Sequence, residues 1–143
     1  MILLSDIYAA IGKQGAKMFV YPIDFTPAAT IEYGGSYAVF FDPSRCINMA
    51  AAKHCLAHEC GHCATGATHR LSSRWDIISK HEYKANRWAI ENFLPYDTLT
   101  AAMQTGLTEP WLLADYFDMP QPFIEAAIEH YAVHKEKNFA ETT

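Results

Sequence analysis

Leu4, Ile7, Ala10 and Ile11 recur at helical spacing, with Ser5 placed to cap and Gly15 placed to terminate, and they predict a helix from Ser5 to about Gln14. Met18-Phe19-Val20-Tyr21 is a continuous apolar run closed by Pro22 and reads as a buried strand. Two β-rich runs, Ile31-Glu32-Tyr33 and Ser36 to Phe41, flank Gly34-Gly35, which is a hairpin signal. Asp42-Pro43-Ser44 ends the sheet, and the pattern then turns helical. Asn48 can cap a helix through Ala64, with Gly66 just beyond its end. A second long helix is expected from about Trp75 to Leu94, stopped by Pro95. Shorter ones follow at about Asp97 to Thr105 and Glu109 to Phe117, and a last one over about Gln121 to Lys135. Strands followed by helices make an α+β fold, with a small antiparallel-type sheet of about three strands.

The chain has 143 residues, half of them hydrophobic, and shows no repeat, low-complexity tract or linker. It reads as a single domain, 1–143, with enough apolar material for a sizeable core, which excludes disorder as its general state. No apolar run approaches the ~18 residues that span a bilayer. Met1-Ile2-Leu3-Leu4 runs into Ser5 and Asp6 without a basic leader. A cytoplasmic protein with reduced thiols and no membrane partner is expected. Cys46, Cys55, Cys60 and Cys63 are therefore not a disulfide framework, and three of them fall on one short helix.

The formal net charge of −5 is unevenly spread. Residues 1–96 carry nine bases and eight acids, whereas from Asp97 onward eight acids face only Lys135 and Lys137. Residues 97–143 thus form an acidic helical C-terminal part. Glu109 to Tyr131 has a helix-turn-helix look, but its second helix carries Glu125 and Glu129, which would face phosphates. Direct nucleic-acid binding is not expected. A helical pair packed on the domain or used for protein contact fits better, and its acidity can attract a basic DNA-binding protein.

Seven histidines against eleven Lys plus Arg hint at metal or proton chemistry. His58-Glu59-Cys60-Gly61-His62 gives that hint a form. Residues four apart on a helix share a face, so both imidazoles can reach one tetrahedral Zn²⁺ at ~2.0–2.1 Å. Glu59, beside the first ligand, can accept a proton from water activated by the metal. In the next helix Ile78, Glu82, Ala85, Ala89 and Phe93 form one stripe, on which Glu82 is the only charge. A carboxylate there needs a cation. A metal would supply it, as would Arg70, Arg74 or Arg87, and His81 is a rival ligand about 100° around the helix. Two His and one Glu leave a fourth position for water, as in a catalytic rather than a structural zinc site. His69, Tyr83 and Arg87 are candidates to stabilise an oxyanion. Cys55-x4-Cys60-x2-Cys63 matches a spacing of iron–sulfur ligands, but such ligands need loop backbone, and these positions point to different sides of a helix. Cys55 shares a face with His58 and His62 and reads as a small buried residue beside the metal; a Cys/His structural zinc site is the other use for these thiols.

Leu56-Ala57-His58-Glu59-Cys60-Gly61-His62, followed by Glu82-x-x-Ala85-Asn86-x-Trp88-Ala89 and by Phe93-Leu94-Pro95, resembles the ImmA/IrrE metallopeptidases of bacteria, phages and mobile elements. That family has an AHExGH helix, then a helix of the form E-x-x-A-N-x-F-A ending in Leu-Pro or Met-Pro. Here Trp88 replaces the usual phenylalanine and Cys60 stands where leucine is frequent, and neither change touches a ligand. The upstream strands and hairpin also fit, so the resemblance covers roughly residues 17–120. It implies a mainly helical, zincin-like core with an active-site HExxH helix, Zn²⁺ held by His58, His62 and Glu82, and Glu59 as catalytic base. It also implies a protein substrate, because family members relieve repression by cleaving a DNA-binding repressor or antitoxin. A zinc-dependent endopeptidase acting on such a repressor-type partner is the expected function. The alternative is a non-catalytic metal-binding regulatory or protein-interaction module.

Overall fold

Ile7 and Ile11, one turn apart, are the residues that the first helix buries, and they set its contact with the rest of the chain. The computed structural model describes residues 1–24, 26–66, 75–136 and 139, with backbone alone at Tyr33 and 75–78. Helix α1 (Leu4–Lys13) leads into three strands, β1 (Lys17–Val20), β2 (Ala28–Tyr33) and β3 (Ser36–Phe41). The expected hairpin forms at Gly34-Gly35, whose φ values of 59° and 80° are those a two-residue turn between twisted strands demands.

The sheet is mixed, which corrects the expected antiparallel type. Its order is β1-β3-β2, with β3 antiparallel to β2 and parallel to β1. The reason lies in β3, Ser36-Tyr37-Ala38-Val39-Phe40-Phe41. Val39 and Phe41 are fully buried, and a central position gives them a strand on either side. Residues 21–27 carry the chain from β1 to the far edge, so β2 returns antiparallel and β3 then runs along β1. β1 is consequently an edge strand and not the buried one its apolar run predicts: Phe19 and Val20 are exposed. Phe19 instead stacks on Phe40 of β3, with ring centroids 5.5 Å apart.

After a 3₁₀ turn at Pro43–Arg45 come six helical segments. α2 (Met49–Thr65) begins where expected, with Asn48 Oδ1 accepting the Ala51 N–H at 2.8 Å, and ends at Gly66 in the left-handed region. α3 (Trp75–Phe93), α4 (Tyr96–Gln104), α5 (Pro110–Phe117) and α6 (Gln121–Glu129) follow. The last helix does not run on to Lys135 in α geometry. Residues His130–His134 widen into a π-turn, in which His130 faces Glu91 at 3.0 Å and the Tyr131 hydroxyl donates to the Leu94 carbonyl at 2.8 Å.

α2 lies at the centre of the core. Leu56, Ala57 and Cys60 are completely buried, between the sheet on one side and α3 on the other. Lys53, also buried, donates to the Ile2 carbonyl and pairs with Asp118, both at 2.6 Å. The Ile2 N–H in turn donates to the Phe117 carbonyl at 3.0 Å. The first residues of the chain and the α5–α6 turn are thereby tied to α2. Apart from Asp118, the C-terminal acids Asp97, Glu109, Asp115, Glu125, Glu129 and Glu136 are exposed. Among the described residues, no helix is long and apolar enough to cross a membrane.

Candidate metal centre

The second half of α2 carries His58 and His62 one turn apart on one face. Their rings meet nearly at right angles, and their Nε2 atoms are 3.1 Å apart. α3 crosses this face at very close range, because no side chain separates Gly61 from the Ala85 backbone. Glu82, one turn before Ala85, is thereby held opposite both imidazoles. Its Oε2 lies 2.6 Å from His58 Nε2 and its Oε1 3.0 Å from His62 Nε2.

The three residues singled out as ligands therefore come together, with donor atoms all within 4.8 Å of one another. His81 and the cysteines are not part of this cluster among the described residues. Arg87, the other cation considered for Glu82, lies over the Tyr83 ring at 5.4 Å. Tyr83 also meets His134 of the π-turn edge-on at 5.8 Å, so the two described oxyanion candidates are engaged with each other. His69, Arg70 and Arg74 lie outside the described residues, as does the side chain of Ile78 from the predicted stripe; Ala85 and Ala89 of that stripe are buried.

The donor set fits a metal ion. Asn86 Oδ1 lies 2.7 Å from His58 Nδ1, and with that oxygen as acceptor the contact fits the tautomer in which Nδ1 donates. Nε2 of His58 then faces a carboxylate oxygen and a second imidazole nitrogen, three donor atoms that one metal ion can hold together. Ligands bound at ~2.0–2.1 Å in a tetrahedral shell lie roughly 3.3 Å apart. The observed separations of 2.6–3.1 Å need only small side-chain adjustments to reach that. His62 is buried, whereas the Glu82 side chain is 39% exposed, which leaves the cluster open to solvent on that side.

Glu59, the expected base, points from α2 toward β2, where the Thr30 hydroxyl donates to its Oε2 at 2.5 Å. Thr30 was not foreseeable from the motif, because its contact spans the sheet–helix interface. Asn86 had a local signal, being four residues after Glu82 and thus on the same helix face. A pocket of about 200 Å³ opens beside His58 and Asn86, walled by Ile90, Phe123 and Ala126. His54 also lines it, and burial pushes that imidazole below its ordinary pKa.

Cys55 does not join the cluster among the described residues. Burial pushes the Cys55 and Cys63 thiols up to about 11 and Cys60 up to about 12. Such thiols stay protonated at neutral pH where no metal binds them. The chain matches no protein-family model, no curated protein and no solved structure with which it was compared.

Proposed function

We propose that the chain is a zinc-dependent endopeptidase that cleaves a specific DNA-binding repressor or antitoxin partner. The observation that carries this reading is the convergence of His58, His62 and Glu82. Two imidazoles and one carboxylate leave one position of a four-coordinate zinc free for chemistry. Bound zinc supplies Lewis-acid polarisation of the scissile carbonyl and a lowered pKa for the attacking water. Glu59 would accept the proton of the attacking water and return it to the leaving amine. Thr30 holds the Glu59 carboxylate on the β2 side, and Asn86 keeps His58 in the tautomer that presents Nε2.

β2 also suits a peptide substrate. Among the described residues no strand pairs with its outer edge, so an extended chain can add there next to Glu59. A zincin-like core and the substrate class belong to the same proposal, and their support is the resemblance of 56–62 and 82–95 to the ImmA/IrrE pattern. The exposed acids of 97–143 favour a basic partner. If they do steer it, cleavage or binding slows with added salt and on neutralising Glu125 and Glu129; indifference to both removes that part.

Metal analysis tests the centre. Wild type should hold about one zinc per chain, lost in His58→Ala and Glu82→Ala. Full retention in Glu82→Ala would remove the third ligand. Glu59→Gln should keep the metal and abolish cleavage. A biological effect that survives Glu59→Gln identifies a metal-bearing interaction module instead.

A further inference from the structure

The pocket beside His58 lies on the α3 side of α2, opposite the sheet toward which Glu59 points. Its floor is made by Ala89 and Ile90 of α3 and Phe123 of α6, all buried. Its mouth is formed by His58, Asn86 and Ala126, of which Asn86 and Ala126 are exposed. α6 is held on α3 at this place by the π-turn that follows it, through His130 to Glu91 and the Tyr131 hydroxyl to the Leu94 carbonyl. The space exists because the two helices present Ala89 and Ala126 where larger side chains would close it. The Phe123 ring meets His54 edge-on, with centroids 5.4 Å apart, which fixes that wall.

Size and lining decide what the pocket can hold. Among the described residues no Asp, Glu, Lys or Arg lines it, and the Asn86 oxygen is turned to His58. An apolar cavity of about 150 Å³ takes up benzene, whereas drug-sized ligands need roughly 300–1,000 Å³. At about 200 Å³ the pocket suits one apolar side chain and not a larger free ligand. Position decides what presents that side chain. His58 belongs both to the metal cluster and to the pocket wall, with Nε2 facing Glu82 and Nδ1 facing Asn86. Successive Cα atoms are ~3.8 Å apart, so a peptide with its scissile carbonyl at the metal brings the side chain of an adjacent residue to the pocket mouth.

We infer that the pocket receives a leucine-, methionine- or phenylalanine-sized side chain of the residue next to the scissile bond, and that Phe123 and Ala126 set its size limit. The inference rests on the endopeptidase reading and adds to it the kind of site that is cut. α6 lies beyond residues 17–120, over which the family resemblance runs, so these two walls are particular to this chain. A single methylene too many or too few in an apolar pocket changes discrimination by roughly 10- to 200-fold, enough for two residues to govern it.

The test uses the intact, zinc-loaded protein. NMR follows its backbone amides during titration with capped amino acids, the N-acetyl amides of leucine, phenylalanine, aspartate and lysine. The two apolar probes should shift Ala89, Ile90 and Phe123, and the two charged probes should not. Ala126→Phe fills the mouth from an exposed position and should weaken both apolar probes at least about tenfold, with zinc content and melting temperature unchanged. Phe123→Leu widens the floor and should admit the N-acetyl amide of tryptophan. Cleavage sites in a mixture of random peptides, mapped by mass spectrometry, should carry an apolar residue at one fixed position beside the cut, replaced by alanine or glycine in Ala126→Phe. Probe binding that is absent, unselective or indifferent to both substitutions overturns the inference. So do cuts without that preference, and the endopeptidase reading then stands. Selective probe binding with no peptide cut overturns the endopeptidase reading instead, and with it the assignment of the side chain to a scissile bond.

Discussion

A Cβ on Gly61 would lie 2.2 Å from the carbonyl oxygen of Ala85, nearer than any such contact can be. Gly61 sits within the HExxH helix and Ala85 one turn after Glu82, so this contact sets how near Glu82 comes to the two histidines. The obstacle is backbone, which cannot swing aside as a side chain can. Gly61→Ala should therefore push α3 away from α2, cost at least the roughly 1–3 kcal/mol of an overpacked core, and weaken zinc binding together with stability. Gly66→Ala is the control. That residue caps α2 at φ 64°, and an added Cβ would meet the Tyr37 hydroxyl at an ordinary 3.6 Å, so the change should cost about 1 kcal/mol and leave the metal in place. Thermal melts and metal content of the two variants check the contrast. Equal metal retention would mean that the helix approach does not position Glu82.

Asn86 is exposed, so it can be replaced with little effect on the core. Its Oδ1 receives the proton of His58 Nδ1 at 2.7 Å. Asn86→Ala removes that acceptor, frees the ring to turn or to change tautomer, and should weaken zinc binding about 10- to 100-fold with little change in melting temperature. Asn86→Asp keeps an acceptor in place and should hold the metal at least as tightly as wild type. A competition titration with a chelator reads both. An Asn86→Ala protein that binds zinc as wild type does would leave His58 oriented by packing alone.

The parts of this arrangement that could be read from the sequence are those written within a few residues of one another. Asn48 and Gly66 bound α2 because a cap and a left-handed stop act locally. Gly34-Gly35 marks the hairpin for the same reason. His58 and His62 pair through helical spacing, and Glu82 stands out as the one charge on an apolar stripe. What stayed hidden depends on partners distant in the chain. β1 was free to pair with β2 or β3, and only burial of Val39 and Phe41 chooses β3. Thr30 reaches Glu59 across the sheet–helix interface, and Lys53 is buried only because Ile2 and Asp118 come to it.

Lys53 and Asp118 make an asymmetric test of that last kind of contact. The ammonium group is buried, held by Asp118 Oδ2 and the Ile2 carbonyl, both at 2.6 Å. Asp118→Asn keeps a residue tolerant of its φ of 54° but removes the counter-charge. It should destabilise toward the lower end of the roughly 3–5 kcal/mol seen when a buried pair loses one partner, because the Asp118 side chain is 38% exposed and partly screened. Lys53→Met removes the buried charge itself while filling similar space, and should cost distinctly less. Urea denaturation of the two variants gives the comparison. Equal costs would show that the lysine acts as packing and not as a charge.

Glu91 ties the π-turn to α3, and its ionisation should appear in the acid stability of the chain. Burial pushes its carboxyl up, but hydrogen bonds from His130 at 3.0 Å and Lys135 at 3.2 Å, with the charge of Lys135, outweigh this and hold it below the ordinary value of 4.5. His134, 6.1 Å from His130, is the next ionisable group in the turn. A carboxyl held below its unfolded pKa stabilises the fold above that value, and the contribution fades as pH falls through the folded one. Glu91→Gln keeps an acceptor for His130 and removes only the charge. Wild type should therefore melt higher than Glu91→Gln by a constant margin between about pH 7 and pH 5, and the margin should close as pH drops below about 4.5. The acid-sensitive part is small, since the Glu91 side chain is 37% exposed. A margin that persists unchanged to about pH 3 would mean that Glu91 holds the turn by shape and hydrogen bonding rather than by charge.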